Sequence, residues 1–332
     1  MKDFARLTNR GQALRLRSMA LVALERYDLP LKRLRLVTNE LNGIFRVDTT
    51  GGRTYALRVC APEAGHSLPE IRSELMWLAA LRRDTDLNVL QPIATRTGET
   101  VTTVEAPGVP QARHCVLFSW VPGPNLAERL TPANLFKLGV LSARLHDHAA
   151  TFAPPEGFWR KAADSVFPFG DPVVLFDDAY RDLVPPERFE VFQRALAQIE
   201  GVIQELYTAG DNPRVIHHDL HQWNVKVYRG RLHALDFEDM MWGHPVQDVA
   251  ITLYHLRSHE DFPALRAAFQ QGYASELPWP EAYLGQIEAL MAGRALDLAN
   301  FAIQDPNAHW RQKMPAFLAR TEKRLCAFLE NR

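Results

Sequence analysis

The sequence predicts an α+β chain of two lobes: a small antiparallel sheet carrying one helix, then a larger and mostly helical lobe. Three observations lead there. The chain has 332 residues, and at roughly 150 residues per domain that length suggests two units. Residues 34–121 read as β-like runs broken by turn residues. After Pro124 apolar residues recur at helical spacing instead.

The first lobe is expected over residues 1–121, beginning with a helix over 10–28. The stretch "MKDFARLTNRGQALRLRSMALVALERYDL" lacks an unbroken apolar segment and a small-residue cleavage site. It therefore reads as an amphipathic helix rather than a signal peptide. "LRLVT" leads into "GIFRVDT", "TGGR" turns the chain, and "TYALRVC" returns. The Gly51-Gly52 pair between two β-like runs signals a hairpin. "SLPEIRSELMWLAALRRD" follows as a helix, with Pro69 tolerated in its first turn. "VTTVEA" and "RHCVLFSWV" read as two further strands, and "VPGPN" closes the block. The linker is placed within 118–124.

The second lobe is expected over 122–332. Leu135, Leu138, Leu141 and Leu145 form an apolar stripe, preceded by Thr131 as a cap and Pro132 as the first helical residue. Residues 152–186 are rich in Pro, aromatics and Asp without a clean period, and read as an insert or lid. A helix near 187–208 precedes short strands at 214–217, 225–229 and 232–236. Several helices are expected over 244–330.

Composition narrows the function classes. Hydrophobic residues make up 47% and charged residues 23%, and the net charge is -1, so no global field favours nucleic acid or an acidic membrane. No apolar run approaches the ~20 residues needed to span a bilayer. Cys60, Cys115 and Cys326 are too few and too far apart for a disulfide framework, which fits a cytoplasmic chain. Oligomeric state is not encoded legibly.

The chemistry concentrates in "VIHHDLHQWNV", residues 215–225. A zinc reading would use His217, His218 and His221 with Asp219 or Asp236. No familiar zinc spacing fits, and adjacent strand residues such as His217 and His218 point opposite ways. The alternative is H-x-D-L-x-x-x-N, the spacing of a kinase catalytic loop. An aspartate there accepts or orients the proton of the acceptor hydroxyl. An asparagine one loop turn later offers a neutral oxygen to magnesium, which takes oxygen ligands and leaves room for substrate phosphates. Twelve residues after Asn224, Asp236 ends an apolar strand and begins "DFE", the place of a metal-binding aspartate.

The segments "HHDLHQWN", "LDFED" and "GHPVQDVA" together resemble the aminoglycoside phosphotransferase superfamily. That group includes choline kinases, type II homoserine kinases, fructosamine kinases and a bacterial stress-response Ser/Thr kinase. The resemblance covers about residues 30–300. It implies a bilobal protein-kinase-like fold, ATP with Mg2+, and phosphate delivered to a hydroxyl. By the same match Asp219 is the catalytic base, and Asn224 and Asp236 are the magnesium ligands.

The small lobe must then supply the nucleotide contacts. No lysine lies between Lys32 and Lys137, so Arg58 in "TYALRV" takes the place of the phosphate-contacting cation; arginine can clamp phosphate bidentately. Glu74 shares a helix face with Ile71, Leu78 and Leu81. A carboxylate there needs a partner, and Arg58 is the obvious one, with Glu70 as the fallback. The usual Gly-rich phosphate loop is missing; in "TNELNGIFRV", Asn42 and Gly43 are the candidates for the turn over the phosphates. "LFSWVPG" resembles the interlobe hinge, which would set the carbonyl of Ser119 and the amide of Val121 against adenine. Asp248 is expected to hold the catalytic loop, with His217 packed beneath it.

The acceptor is a small hydroxyl compound, with amino alcohol, homoserine-like and sugar-like molecules all open. His221 and Trp223 in the loop are candidates to face it. Asp177 and Asp178, with Asp171 and Asp182 in the same insert, could receive an ammonium group, and Phe167, Phe169, Phe176 and Tyr180 could cage a methylated cation. Two other functions remain open at this point: a Ser/Thr protein kinase like the stress-response member, and a non-catalytic nucleotide-binding pseudokinase.

Overall fold

A computed structural model describes residues 3–39, 41–62, 67–304 and 308–330. The chain forms two compact units that are interleaved in sequence. One comprises Met1–Pro124, Phe152–Trp159 and Lys226–Glu238; the other comprises Asn125–Thr151, Arg160–Val225 and Asp239–Arg332. This differs from a single boundary after residue 121, most consequentially because the segment carrying Asp236 joins the first unit.

The first unit is a five-stranded antiparallel sheet in the order β1-β2-β3-β5-β4. The strands are β1 (Leu31–Asn39), β2 (Gly43–Thr49), β3 (Thr54–Val59), β4 (Thr102–Val104) and β5 (Arg113–Ser119). α1 (Asn9–Leu24) packs on one face. It buries Leu16, Met19, Ala20 and Ala23 against Phe45, Val47, Leu57 and Leu117. The Thr8 hydroxyl caps it by accepting from the Gly11 amide. Alternation along β3 sends Tyr55, Leu57 and Val59 into that core and Arg58 to the opposite face.

α2 (Leu68–Asp84) starts with Ser67 and Glu70 satisfying each other's backbone donors, so Glu70 is absorbed as a capping residue. The β7 (Val225–Tyr228) and β8 (Arg231–Ala234) pair joins this unit through the Ala234 amide, which donates to the Asn88 carbonyl at 3.0 Å. Phe237 then meets Trp77 edge-on at 5.5 Å. The contacts of β8 with residues far upstream decide its membership, and no local pattern reports them. At the turn after β5, a Cβ on Gly123 would lie 2.2 Å from the Val227 carbonyl oxygen, so only glycine fits.

The second unit is built from α3 (Pro132–Thr151), α4 (Pro186–Thr208), α5 (Pro245–Leu256), α6 (Phe262–Ala274), α7 (Gln286–Ile303) and α8 (Ala308–Glu330), with a small pair of β6 (Arg214–Ile216) and β9 (Met241–Gly243). α3 and α6 approach backbone to backbone. A Cβ at Gly139 would sit 2.0 Å from the Phe269 oxygen, and one at Gly272 would sit 1.9 Å from the Phe136 oxygen. The insert holds no long element; its one helical piece is the short 3-10 helix Asp178–Tyr180. Strand β9 is absent from the sequence reading, because three residues held by β6 and by a bridge to Ala162 leave no periodic signal. Among the described residues no helix is long and apolar enough to cross a membrane. All three cysteines are free.

Candidate active site

In the first unit, Arg58 and Glu74 form the expected pair. Nη1 donates to Oε1 at 3.1 Å and Nη2 to Oε2 at 2.5 Å. Both residues are buried, at 5% and 1% exposure. Burial works against the guanidinium charge, yet Glu74, with Cys60 and Glu238, more than offsets it and raises the pKa. Glu238 was not singled out in the sequence. It occupies the last position of "DFE", where a DFG segment has glycine, and that substitution was the only signal available. Its Oε2 accepts from Arg58 Nη1 at 3.2 Å and from Asn42 Nδ2 at 2.7 Å. Asn42 Oδ1 in turn accepts from the Ala61 amide. Both side chains expected at the phosphates are thus tied to one internal carboxylate.

Gly43 opens β2 opposite Val59. Ser119 closes β5 opposite Tyr55, its amide donating to the Gln91 carbonyl, and Val121 follows in the turn. Asp236 belongs to this unit and has a left-handed backbone, φ 60°. Such conformations are uncommon outside glycine, although Asp tolerates them better than most residues.

In the second unit, β6 leads into the loop that carries Asp219 and Asn224, and α5 holds it. Asp248, with no exposed surface, accepts from the His217 amide at 2.9 Å, the His218 amide at 2.6 Å and His146 Nε2 at 3.1 Å. Burial raises the pKa of a carboxyl, but these donors prevail and leave it lowered. His217 is fully buried beneath the loop, as expected. His218 is also left-handed, φ 62°. Asp219 then faces Asn224, whose Nδ2 donates to Asp219 Oδ2 at 2.7 Å and to the Asp219 carbonyl at 3.1 Å.

Asp219 Oδ1 accepts from Arg294 Nη2 at 2.7 Å, and Arg294 Nη1 donates to Asp297 Oδ2 at 2.8 Å. Neither α7 residue was singled out in the sequence, because both read as ordinary charges on an amphipathic helix. Burial, with Asp239 and Asp171 nearby, outweighs Arg294 and pushes the Asp297 carboxyl up to about 6. His221 Nε2 lies 3.4 Å from Asp219 Oδ2, and its ring meets that of His255 at a tilt of 56°, with centroids 4.3 Å apart. Burial and Arg294 lower His221 to about 4, so its ring is neutral near pH 7.

Trp223 is 56% exposed. Asp177 begins the short turn of the insert, and Asp178 is an exposed surface residue paired with Arg181. Neither lines the cavity beside Arg294. The aromatics of the insert pack instead: Phe169 against His218 and Phe176 against Phe189. Nor do His217, His218 and His221 form a zinc set. Among the described residues the metal-ligating types that gather are Asp219, His221 and His255, with the Arg294 cation already on Asp219.

Residues 35–285 match the family described as "Phosphotransferase enzyme family". The chain belongs to this family. The resemblance drawn from "HHDLHQWN", "LDFED" and "GHPVQDVA" is borne out, together with the α+β kinase-like fold. Over 76 residues, 23% of its length, this phosphotransferase-family chain is 33% identical to the amicoumacin kinase of Bacillus subtilis (strain 168), and the match spans only 22% of that kinase. A microcompartment-associated aminopropanol kinase shares 26% identity with a TM-score of 0.79, over 94% of this chain and 97% of that one. The fold is also that of an amicoumacin kinase in complex with AMP-PNP and Ca2+, with 17% identity, a TM-score of 0.73 and coverage of 96% and 94%. Spectinomycin phosphotransferase in complex with ADP and spectinomycin follows, with 13% identity, a TM-score of 0.66 and coverage of 93% and 96%.

Proposed function

We propose that the protein is an ATP- and Mg2+-dependent phosphotransferase whose acceptor is the hydroxyl of a small amino alcohol. One observation carries the reading. The Asn224 amide nitrogen is committed to Asp219, at 2.7 and 3.1 Å, which leaves Asn224 Oδ1 as a neutral oxygen for a divalent cation while Asp219 is oriented as the base. Asp236 would add a carboxylate oxygen. This all-oxygen set suits Mg2+, which when bound neutralises charge on the phosphates.

The chain's own residues do the rest. Arg58, fixed by Glu74, is the cation for the nucleotide phosphates, and Asn42 and Gly43 lie at the turn before β2. The Ser119 carbonyl and Val121 amide are the main-chain groups for adenine. Asp219 takes the proton from the acceptor hydroxyl. The freed electron pair forms the new oxygen–phosphorus bond as the bond to the bridging oxygen breaks, and ADP leaves with that electron pair. The relationship to the aminopropanol kinase supports an amino alcohol over the homoserine-like and sugar-like alternatives.

The test is ADP release measured with Mg2+ and ATP across amino alcohols, amino acids, sugars, aminoglycosides and a generic protein acceptor. Turnover on amino alcohols is expected. Asp219→Ala should reduce it by about 1,000-fold while ATP still binds. Turnover only on the protein acceptor would replace this reading with a protein kinase. ATP binding without turnover on any acceptor would indicate a pseudokinase.

A further inference from the structure

The second unit contains a cavity of about 40 Å³ whose wall includes Val166, Ile251, Leu290, His218, Arg294 and Asp297. Such a volume takes the end of a small molecule and excludes a polycyclic antibiotic. Part of the lining is aliphatic and part is polar, and Arg294 in the lining bonds Asp219 with one nitrogen and Asp297 with the other.

Two features of the polar part point to a ligand. His218 is only 6% exposed, yet its Nδ1 has no hydrogen-bond partner; a buried polar atom left so costs free energy unless something fills the place. Its left-handed backbone, φ 62°, is an uncommon conformation for histidine and belongs to the loop that positions Asp219. In addition, one guanidinium faces Asp219 and Asp297 while Asp239 and Asp171 lie close enough to be felt. A cation beside Asp297 would meet these carboxylates as well as the guanidinium.

We propose that Asp297 and His218 form the subsite for the ammonium group of the acceptor, so that a compact amino alcohol is held with its hydroxyl toward Asp219. This inference rests on the phosphotransferase reading above and adds the residues that select the substrate. Asp297 Oδ2 is engaged by Arg294, so Oδ1 receives the ammonium. His218 Nδ1 accepts a second N–H. Val166, Ile251 and Leu290 cover the carbon chain. Amino and hydroxyl groups on neighbouring carbons suit two carboxylates at opposite ends of one guanidinium. A trimethylated nitrogen offers no N–H to either acceptor and is excluded.

The test compares aminopropanol with propanediol, in which a hydroxyl replaces the ammonium. Removing one member of a buried charge pair changes binding strongly. Asp297→Asn is expected to lower kcat/KM for aminopropanol by about 100-fold and to abolish the preference over propanediol, with the ATP titration unchanged. His218→Asn, a residue that tolerates a left-handed backbone, should raise the aminopropanol KM by about 10-fold and keeps the proposal testable should Asp297→Asn not fold. Calorimetric titration of aminopropanol into the nucleotide-free protein reads the subsite without turnover. Binding lost in Asp297→Asn supports the proposal even if no phosphate is transferred, in which case the phosphotransferase reading alone fails. Equal aminopropanol affinity in wild type and both variants, or an intact preference over propanediol, overturns it.

Discussion

Replacing Asp248 tests whether the loop that carries Asp219 is held by one buried carboxylate. Its two oxygens accept from three donors: the His217 and His218 amides at 2.9 and 2.6 Å and His146 Nε2 at 3.1 Å. Asp248→Ala leaves those donors buried without an acceptor, at about 1–3 kcal/mol each. Partial relaxation is expected, so a total loss of about 4–6 kcal/mol is anticipated, a large share of a typical 5–15 kcal/mol stability. Asp248→Asn should behave differently. His146 can exchange tautomers, because its Nδ1 lies 2.9 Å from the Tyr273 hydroxyl, which can either donate or accept. One amide N–H is still orphaned, for a loss of about 1–3 kcal/mol. The assay is urea unfolding of the three proteins, with kcat measured on whatever remains folded. Turnover should fall in both variants, because the two histidine amides set the path of the chain into Asp219. A loss below about 1 kcal/mol for Asp248→Ala, or equal losses for the two variants, would refute the accounting by orphaned donors.

The other predictions are brief. Gly139→Ala places a methyl group 2.0 Å from the Phe269 oxygen and 2.6 Å from the Tyr273 nitrogen, so α3 and α6 must separate; a loss of about 3 kcal/mol or more is expected in urea unfolding despite the better helix propensity of alanine. The acceptor KM should rise as pH falls through about 6, because Asp297, raised by burial from 3.8 to about 6, then loses the charge that binds ammonium. The rise should be absent in Asp297→Asn, and His218, held at about 4, stays neutral throughout. The sign for stability is the opposite one. A raised carboxyl favours the neutral form in the fold, so its contribution is present below 3.8 and is lost as pH rises through about 6.

Much of the site was readable because its chemistry lies in contiguous spacing. Asp219 and Asn224 sit five positions apart in one loop, and a hydrogen bond joins them. Arg58 and Glu74 were also legible as a pair, since a strand arginine and a carboxylate on an apolar helix face each need a partner. The strand-like runs of the first unit and the helices of the second follow from patterns of period two and 3.6, whereas the placing of β5 between β3 and β4 does not. What local pattern determines, the sequence by itself determined: the family, the element types, and the candidates for base, cation and metal ligands.

Only the tertiary structure decided the partners supplied from far along the chain. Glu238 lies 180 residues from Arg58, and Arg294 lies 75 residues from Asp219. Each reads in sequence as an ordinary surface charge. The acidic insert illustrates the converse. Asp177 and Asp178 looked like cation receptors, but the exposed Asp178 pairs with Arg181, while Asp297, one charge on a long helix, lines the cavity. Burial and charge balance at a site depend on which elements pack together, and packing is a property of contacts that sequence spacing does not carry.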